Sequence, residues 1–150
     1  MIAFLFNATD LKIYIMKFEK ITYESLNARQ KENYNFQKVS AVLADYGFTT
    51  LRLSDDWQGA DFIAQDKNGA FIKVQLKGRL TFAEKYRGKG IFICFREKED
   101  WYLFDHDSLL EITLERTNIK NTESWTIGCE YSFPAIPKEL IGEISKYKIP

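Results

Sequence analysis

The sequence predicts a mixed α/β fold in one domain, a central sheet with helices packed against it. Three observations predict it. A stretch with helical periodicity precedes a β-branched strand, two short apolar runs flank a turn cluster, and further strand-like runs alternate with short helical ones. The 150 residues fit one domain, and a chain of that size can bury roughly two thirds of its unfolded surface without covalent staples.

In chain order, the first helix is expected from Ser25 or Ala28 to Tyr46. Phe36, Val39, Val42, Leu43 and Tyr46 recur at helical steps, and Gly47 suits a left-handed cap. FTTLRL (48–53) alternates as a strand does, and SDDWQG (54–59) reads as a loop. ADFIAQ (60–65) and AFIKVQLK (70–77) form a hairpin, followed by a basic stretch, 78–90. IFICF (91–95) and WYLFD (101–105) are strands. A short helix over 106–113 is capped by Asp107 or Ser108. SWTIGCEYSF (124–133) is expected as a strand. Pro137 is expected at the first position of a closing helix, KELIGEISKYK.

Composition narrows the function classes. The 21 basic and 21 acidic residues cancel, which argues against an overall electrostatic grip on nucleic acid, so any such binding needs a local patch. Cys94 and Cys129 have no metal-ligand spacing. They read as reduced core residues of a cytoplasmic protein, a disulfide between them being the alternative. The first fifteen residues are apolar but broken by Asn7, Thr9, Asp10 and Lys12. They do not read as a signal peptide or a membrane span, and are expected to be peripheral.

The hairpin carries the chemistry. If Asp66 pairs with Ala70 across Lys67-Asn68-Gly69, Asp61 lies opposite Gln75. Lys77, two residues on, then shares their face. A two-residue Asn68-Gly69 turn would set Asp61 opposite Leu76 and disperse the group.

An acidic residue opening a strand, a tight turn, and acid-x-Lys on the next strand is the PD-(D/E)XK pattern of restriction enzymes, archaeal Holliday-junction resolvases and some homing endonucleases. This chain resembles that superfamily over roughly residues 28–95, with Gly59-Ala60-Asp61 and Gln75-Leu76-Lys77 in the motif positions. Ala60 replaces the usual Pro, and Gln75 replaces the second acid. A Gln-x-Lys variant occurs in an intron-encoded homing endonuclease branch.

The resemblance implies a restriction-endonuclease-like core and an endonuclease or resolvase-like activity on DNA. It also implies a homo-oligomer, a dimer or larger. Mg²⁺ or Mn²⁺ would take Asp61, the Gln75 side-chain carbonyl and the Leu76 backbone carbonyl as ligands, with Lys77 at the attacking water or the phosphate.

Glu32 continues the apolar stripe of the first helix and is a candidate acid for the same site; it also reads as an ordinary first-turn glutamate. Asp55 and Asp56 read as turn formers that could contribute, and Trp57 as a packing residue. Arg79, Lys85, Tyr86, Arg87 and Lys89, interleaved with glycines and Phe82, form a candidate nucleic-acid surface: cations for phosphates, rings for bases. The plainer reading is a solvated loop partly balanced by Glu84. His106, the sole histidine, reads as structural. Two further readings stand beside the nuclease. One is a binding module weakened by Gln75; the other is an interaction protein whose polar cluster is only a hydrogen-bond network.

Overall fold

A computed structural model describes residues 15–150, the side chains of Asp56 and Trp57 excepted. The expected peripheral segment falls outside the described residues apart from Ile15, which is exposed.

After a 3₁₀ turn at Tyr23–Ser25, helix α1 runs Ala28–Asp45. Asn27 and Gln30 hold its start by exchanging side-chain-to-backbone hydrogen bonds, each 2.9 Å. Its end is as expected. Gly47 takes φ +80°, its N–H reaches the Ala44 carbonyl, and the Phe48 N–H reaches Leu43.

Strands β1 (Thr49–Trp57), β2 (Ala60–Gln65), β3 (Phe71–Lys77), β5 (Ile91–Glu97) and β6 (Asp100–Asp105) form one sheet in the order β1-β2-β3-β5-β6. The pair β3/β5 is parallel and the other pairs are antiparallel. Between β3 and β5 lie β4 (Thr81–Ala83) and a 3₁₀ turn, Glu84–Tyr86. The basic stretch is thus partly ordered structure, and β4 pairs with β7 (Glu130–Ser132) in a separate two-stranded sheet.

The expected loop at 54–59 is mostly strand. β1 continues to Trp57, and Gln58 (φ +54°) and Gly59 (φ +87°) make a two-residue turn into β2. Positive φ at both turn positions matches the right-handed twist of the flanking strands.

Helices cover both faces of the sheet. On one face, Val39 and Leu43 of α1 pack on Phe62, Ala64, Val74 and Cys94. On the other, Ile91, Ile93, Phe95 and Phe104 meet helices α2 (His106–Arg116) and α4 (Lys138–Ile144) through Leu109, Leu110, Leu140 and Ile144. Burial on two sides explains why IFICF is an unbroken apolar run. The mixed sheet between helix layers is the class expected from the sequence.

Several local expectations change. Helix α2 is capped by Asp105, whose side chain accepts from the Ser108 N–H at 2.9 Å, and not by Asp107 or Ser108. Residues 124–133 are not a strand. Thr122 caps the short helix α3 (Glu123–Thr126), Cys129 adopts φ +56°, and only Glu130–Ser132 is extended. Local capping outweighs the β-propensity of WTI there. Cys129 is consequently exposed and only Cys94 is a core thiol; both are free. Pro137 is the cap preceding α4 rather than its first residue, and the closing helix gives way to a 3₁₀ turn at Ser145–Tyr147.

The last residues lie along β6. The Ile149 N–H donates to the Trp101 carbonyl at 2.8 Å, and the Lys148 ammonium sits 2.9 Å from Asp100. Among the described residues, no helix is long and apolar enough to cross a membrane.

Candidate active site

The turn decides the geometry. The Asp66 N–H donates to the Ala70 carbonyl at 2.8 Å, and the Asp66 carboxylate accepts from Asn68 and Ala70 N–H. Gly69 takes φ +89°. The loop is therefore Lys67-Asn68-Gly69, and pairs such as Phe62↔Val74 and Gln65↔Phe71 follow the expected register. One more step along this register sets Asp61 across from Gln75.

Asp61, Gln75 and Lys77 are each half-buried, and all line one cavity of about 470 Å³. The cavity lies where the hairpin end, α1 and the outer part of β1 meet. From α1 come Glu32, Asn35 and Phe36; from β1, Arg52 and Asp55; from the hairpin, also Ala60, Leu76 and Gly78. Glu32 and Leu76 thus line the same cavity as Asp61, Gln75 and Lys77.

The Leu76 N–H donates to Asp61 Oδ2 at 2.8 Å, just beyond the Phe62↔Val74 pair. The carboxylate replaces a backbone acceptor, which fixes its orientation within the sheet.

Sequence reasoning missed Asn35 and Arg52. Asn35 is buried in the stripe Asn35, Val39, Leu43 of α1, and its Nδ2 donates to the Tyr23 hydroxyl at 2.9 Å. An amide in an otherwise apolar helical stripe was the available signal. Arg52 lies over the Phe36 ring at 5.4 Å and bonds Asn33.

The basic segment is arranged differently from its sequence reading. Tyr86 and Phe82 are buried, so neither ring is presented for base stacking. Arg87 is held by Glu84 at 2.9 and 3.1 Å and by Glu111. These hydrogen bonds keep its guanidinium more basic than usual and offset its charge. Arg79, Lys85 and Lys89 are exposed, but like Arg87 they lie outside the described cavity lining, whose cations are Arg52 and Lys77. The Lys89 carbonyl accepts from Lys73 Nζ at 2.5 Å, and the same ammonium reaches Gln58 at 2.9 Å.

His106 is structural. Its Nε2 accepts from the Ala83 N–H at 3.3 Å, so Nδ1 carries the proton and donates to Asp107 at 2.7 Å. Asp107 also accepts from the Gly88 N–H at 2.7 Å. Burial pushes its carboxyl upward, but these hydrogen bonds outweigh it and leave the group below the usual range.

The lining supplies oxygen ligands: the Asp61, Glu32 and Asp55 carboxylates and the Gln75 amide. Among the described residues, no group of three or more His, Cys, Asp or Glu side chains could hold a metal ion together. The set suits a hard cation that keeps much of its water, as Mg²⁺ does, and not a soft or fully caged ion.

No family model matches the chain, and no curated protein sequence matches it. In fold it is similar to nucleases of known structure. One is a bacterial homing endonuclease, I-Ssp6803I, at 17% identity and TM-score 0.47, covering 82% of this chain and 87% of that one. Another is Hjc, a Holliday junction resolvase from the archaeal hyperthermophile Archaeoglobus fulgidus. It shares 14% identity at TM-score 0.37, over 46% of this chain and 74% of its own. Likeness at this level concerns the path of the chain, and the chemistry has to come from the residues in the cavity.

Proposed function

We propose that the protein is a metal-dependent nuclease that hydrolyses DNA phosphodiester bonds, as an endonuclease or resolvase-like enzyme. The observation that supports it most is the meeting of Asp61, Gln75 and Lys77 in one polar cavity on adjoining strands. Two hydrogen-bonded strands hold such groups more firmly than a loop would.

Asp61, with one oxygen already oriented by Leu76, would supply the charged ligand to Mg²⁺ or Mn²⁺. The Gln75 carbonyl and the Leu76 backbone carbonyl would complete the protein's share. The bound ion supplies Lewis acidity and a lowered pKa for its water. Lys77 would stabilise charge developing on the phosphate, or help place the attacking water. Glu32, exposed on the α1 wall of the same cavity, would accept a hydrogen bond from that water. Exposed Arg79, Lys85 and Lys89 would contact the DNA backbone outside the cavity, and Arg87 less so because two carboxylates already engage it. We further propose that the chain acts in the cytoplasm as one domain, and as a homo-oligomer, since cutting both strands needs two such sites.

A second reading has its own support. Gln75 brings no charge, and among the described residues no three His, Cys, Asp or Glu side chains are placed to hold a metal together. A nucleic-acid-binding or protein-interaction module with weakened catalysis would have the same cavity.

Cleavage of plasmid, single-stranded and branched DNA with Mg²⁺ or Mn²⁺ separates the two. The wild type should cut. Asp61→Asn and Lys77→Ala should each lose at least about 100-fold, the scale of removing one group that stabilises transition-state charge, with unchanged thermal unfolding. Salt-sensitive binding without cutting would leave the binding module; neither binding nor cutting would end the nucleic-acid reading.

A further inference from the structure

Tyr86 lies beside the candidate site without lining it, and its ring is fixed from several directions. It is 2% exposed. His106 meets it edge-on, centroids 5.6 Å apart at 84°, and His106 is itself tied to Ala83 and Asp107. The Gly59 backbone comes so close that a Cβ there would stand 3.0 Å from Tyr86 Cδ1 and 3.1 Å from Cε1. Burial holds the phenol above its ordinary pKa, so the ring stays neutral.

Two ammonium groups lie over this ring: Lys77 Nζ at 5.3 Å from the centroid and Lys85 Nζ at 5.1 Å. Both distances are within cation–π range. The Lys85 contact is between chain neighbours. The Lys77 contact joins the end of β3 to the 3₁₀ turn after β4, and it involves a lysine of the cavity wall.

We propose that Tyr86 is a positioning residue: its buried ring holds the Lys77 ammonium in place at the wall of the Asp61 cavity. A lysine side chain has four rotatable bonds and loses freedom when one position is imposed on it. The ring's negative face supplies an attraction that favours one placement without a carboxylate, which would offset the charge that a phosphate needs. The aromatic of the basic segment thus acts from beneath the site. Its effect on catalysis rests on the nuclease reading; the placement of Lys77 does not.

The test replaces Tyr86 with Phe and with phenylalanines of increasing fluorine number, which keep the ring's shape while draining its face of negative charge. Tyr86→Leu removes the ring. One readout is the NMR shift of the Lys77 Cε protons, assigned through Lys77→Arg; the other is DNA cleavage. In the wild type and Tyr86→Phe, these protons should resonate upfield of ordinary lysines from the ring current. Cleavage should be retained in Tyr86→Phe and fall steadily along the fluorine series, by about tenfold in all, the scale of one such contact. The Lys77 shift should drift toward the solvated value along the same series.

If the wild type cuts and the series is flat in rate and shift, the proposal is overturned while the nuclease stands. If nothing cuts, the nuclease reading falls and the shifts alone decide. Ordinary Lys77 shifts in the wild type overturn the placement; upfield shifts lost along the series support it. Tyr86→Leu also removes core packing, so the fluorinated series, which keeps the ring, carries the test.

Discussion

Gly59→Ala perturbs the turn between β1 and β2 and the core beneath it together. At φ +87° an alanine is in the left-handed region, at a cost of about 1–2 kcal/mol. Its methyl would also stand 3.0 and 3.1 Å from two carbons of Tyr86. That ring is fully buried and cannot swing into solvent, so the core must shift, which typically costs about 1–3 kcal/mol. Loss of unfolded-state freedom returns about 0.4–1 kcal/mol. The expected net loss is about 1–5 kcal/mol. Gly88→Ala is the internal control. Its φ is +73°, but a Cβ there meets nothing within 4 Å, so only the backbone term applies and the loss should be about 1 kcal/mol. Urea unfolding of both variants, with unchanged slopes, gives the comparison. Equal losses in the two would refute the packing argument, and with it the claim that Gly59 braces Tyr86.

Gln75→Glu adds a second carboxylate across from Asp61. It should tighten Mn²⁺ binding by about tenfold or more, measured by calorimetry, and lower stability slightly without metal because two like charges then share the cavity. No change in metal affinity would remove Gln75 from the site. Glu84→Gln tests the acid limb of stability. The hydrogen bond from Arg87, opposed by partial burial, keeps the Glu84 carboxyl below its ordinary 4.5. Its contribution is therefore present above that value and lost as pH falls through the lowered one. The substitution should flatten the stability–pH curve below about pH 4.5 while costing under about 1 kcal/mol at pH 7, since the pair is partly exposed. An unchanged acid limb in urea titrations would rule this out.

The hairpin was legible because its determinants are local. Asp66 and Gly69 dictate the turn, the turn dictates the register, and the register brings Asp61, Gln75 and Lys77 to one cavity. The end of α1 was legible for the same reason, through Gly47. The inward turn of Tyr86 was not. It depends on His106 and Gly59, elements that meet only once the sheet has formed. Arg87 reads as a phosphate-binding cation only partly balanced by Glu84 because its second partner, Glu111, is on α2, far along the chain. Asn35 and Arg52 enter the cavity from separate elements, and no spacing joins them. In residues 124–133 the β-branched composition points to a strand, but the Thr122 cap, equally local in the sequence, starts a helical turn instead. The unexpected length of β1 follows from a Gln58-Gly59 turn with positive φ at both positions, which composition alone does not signal.

The segment that closes against β6 bears on how the protein behaves when concentrated. Strand β6 is the last in its sheet, and its outward amides and carbonyls would otherwise offer a template on which another chain could lengthen the ribbon. Ile149 occupies part of that template through Trp101, and Lys148 sets a charge beside it. Removing the residues from Lys148 onward would therefore leave the hydrophobic interior largely intact while uncovering a self-adhesive margin, so that solubility would suffer before the folded state did.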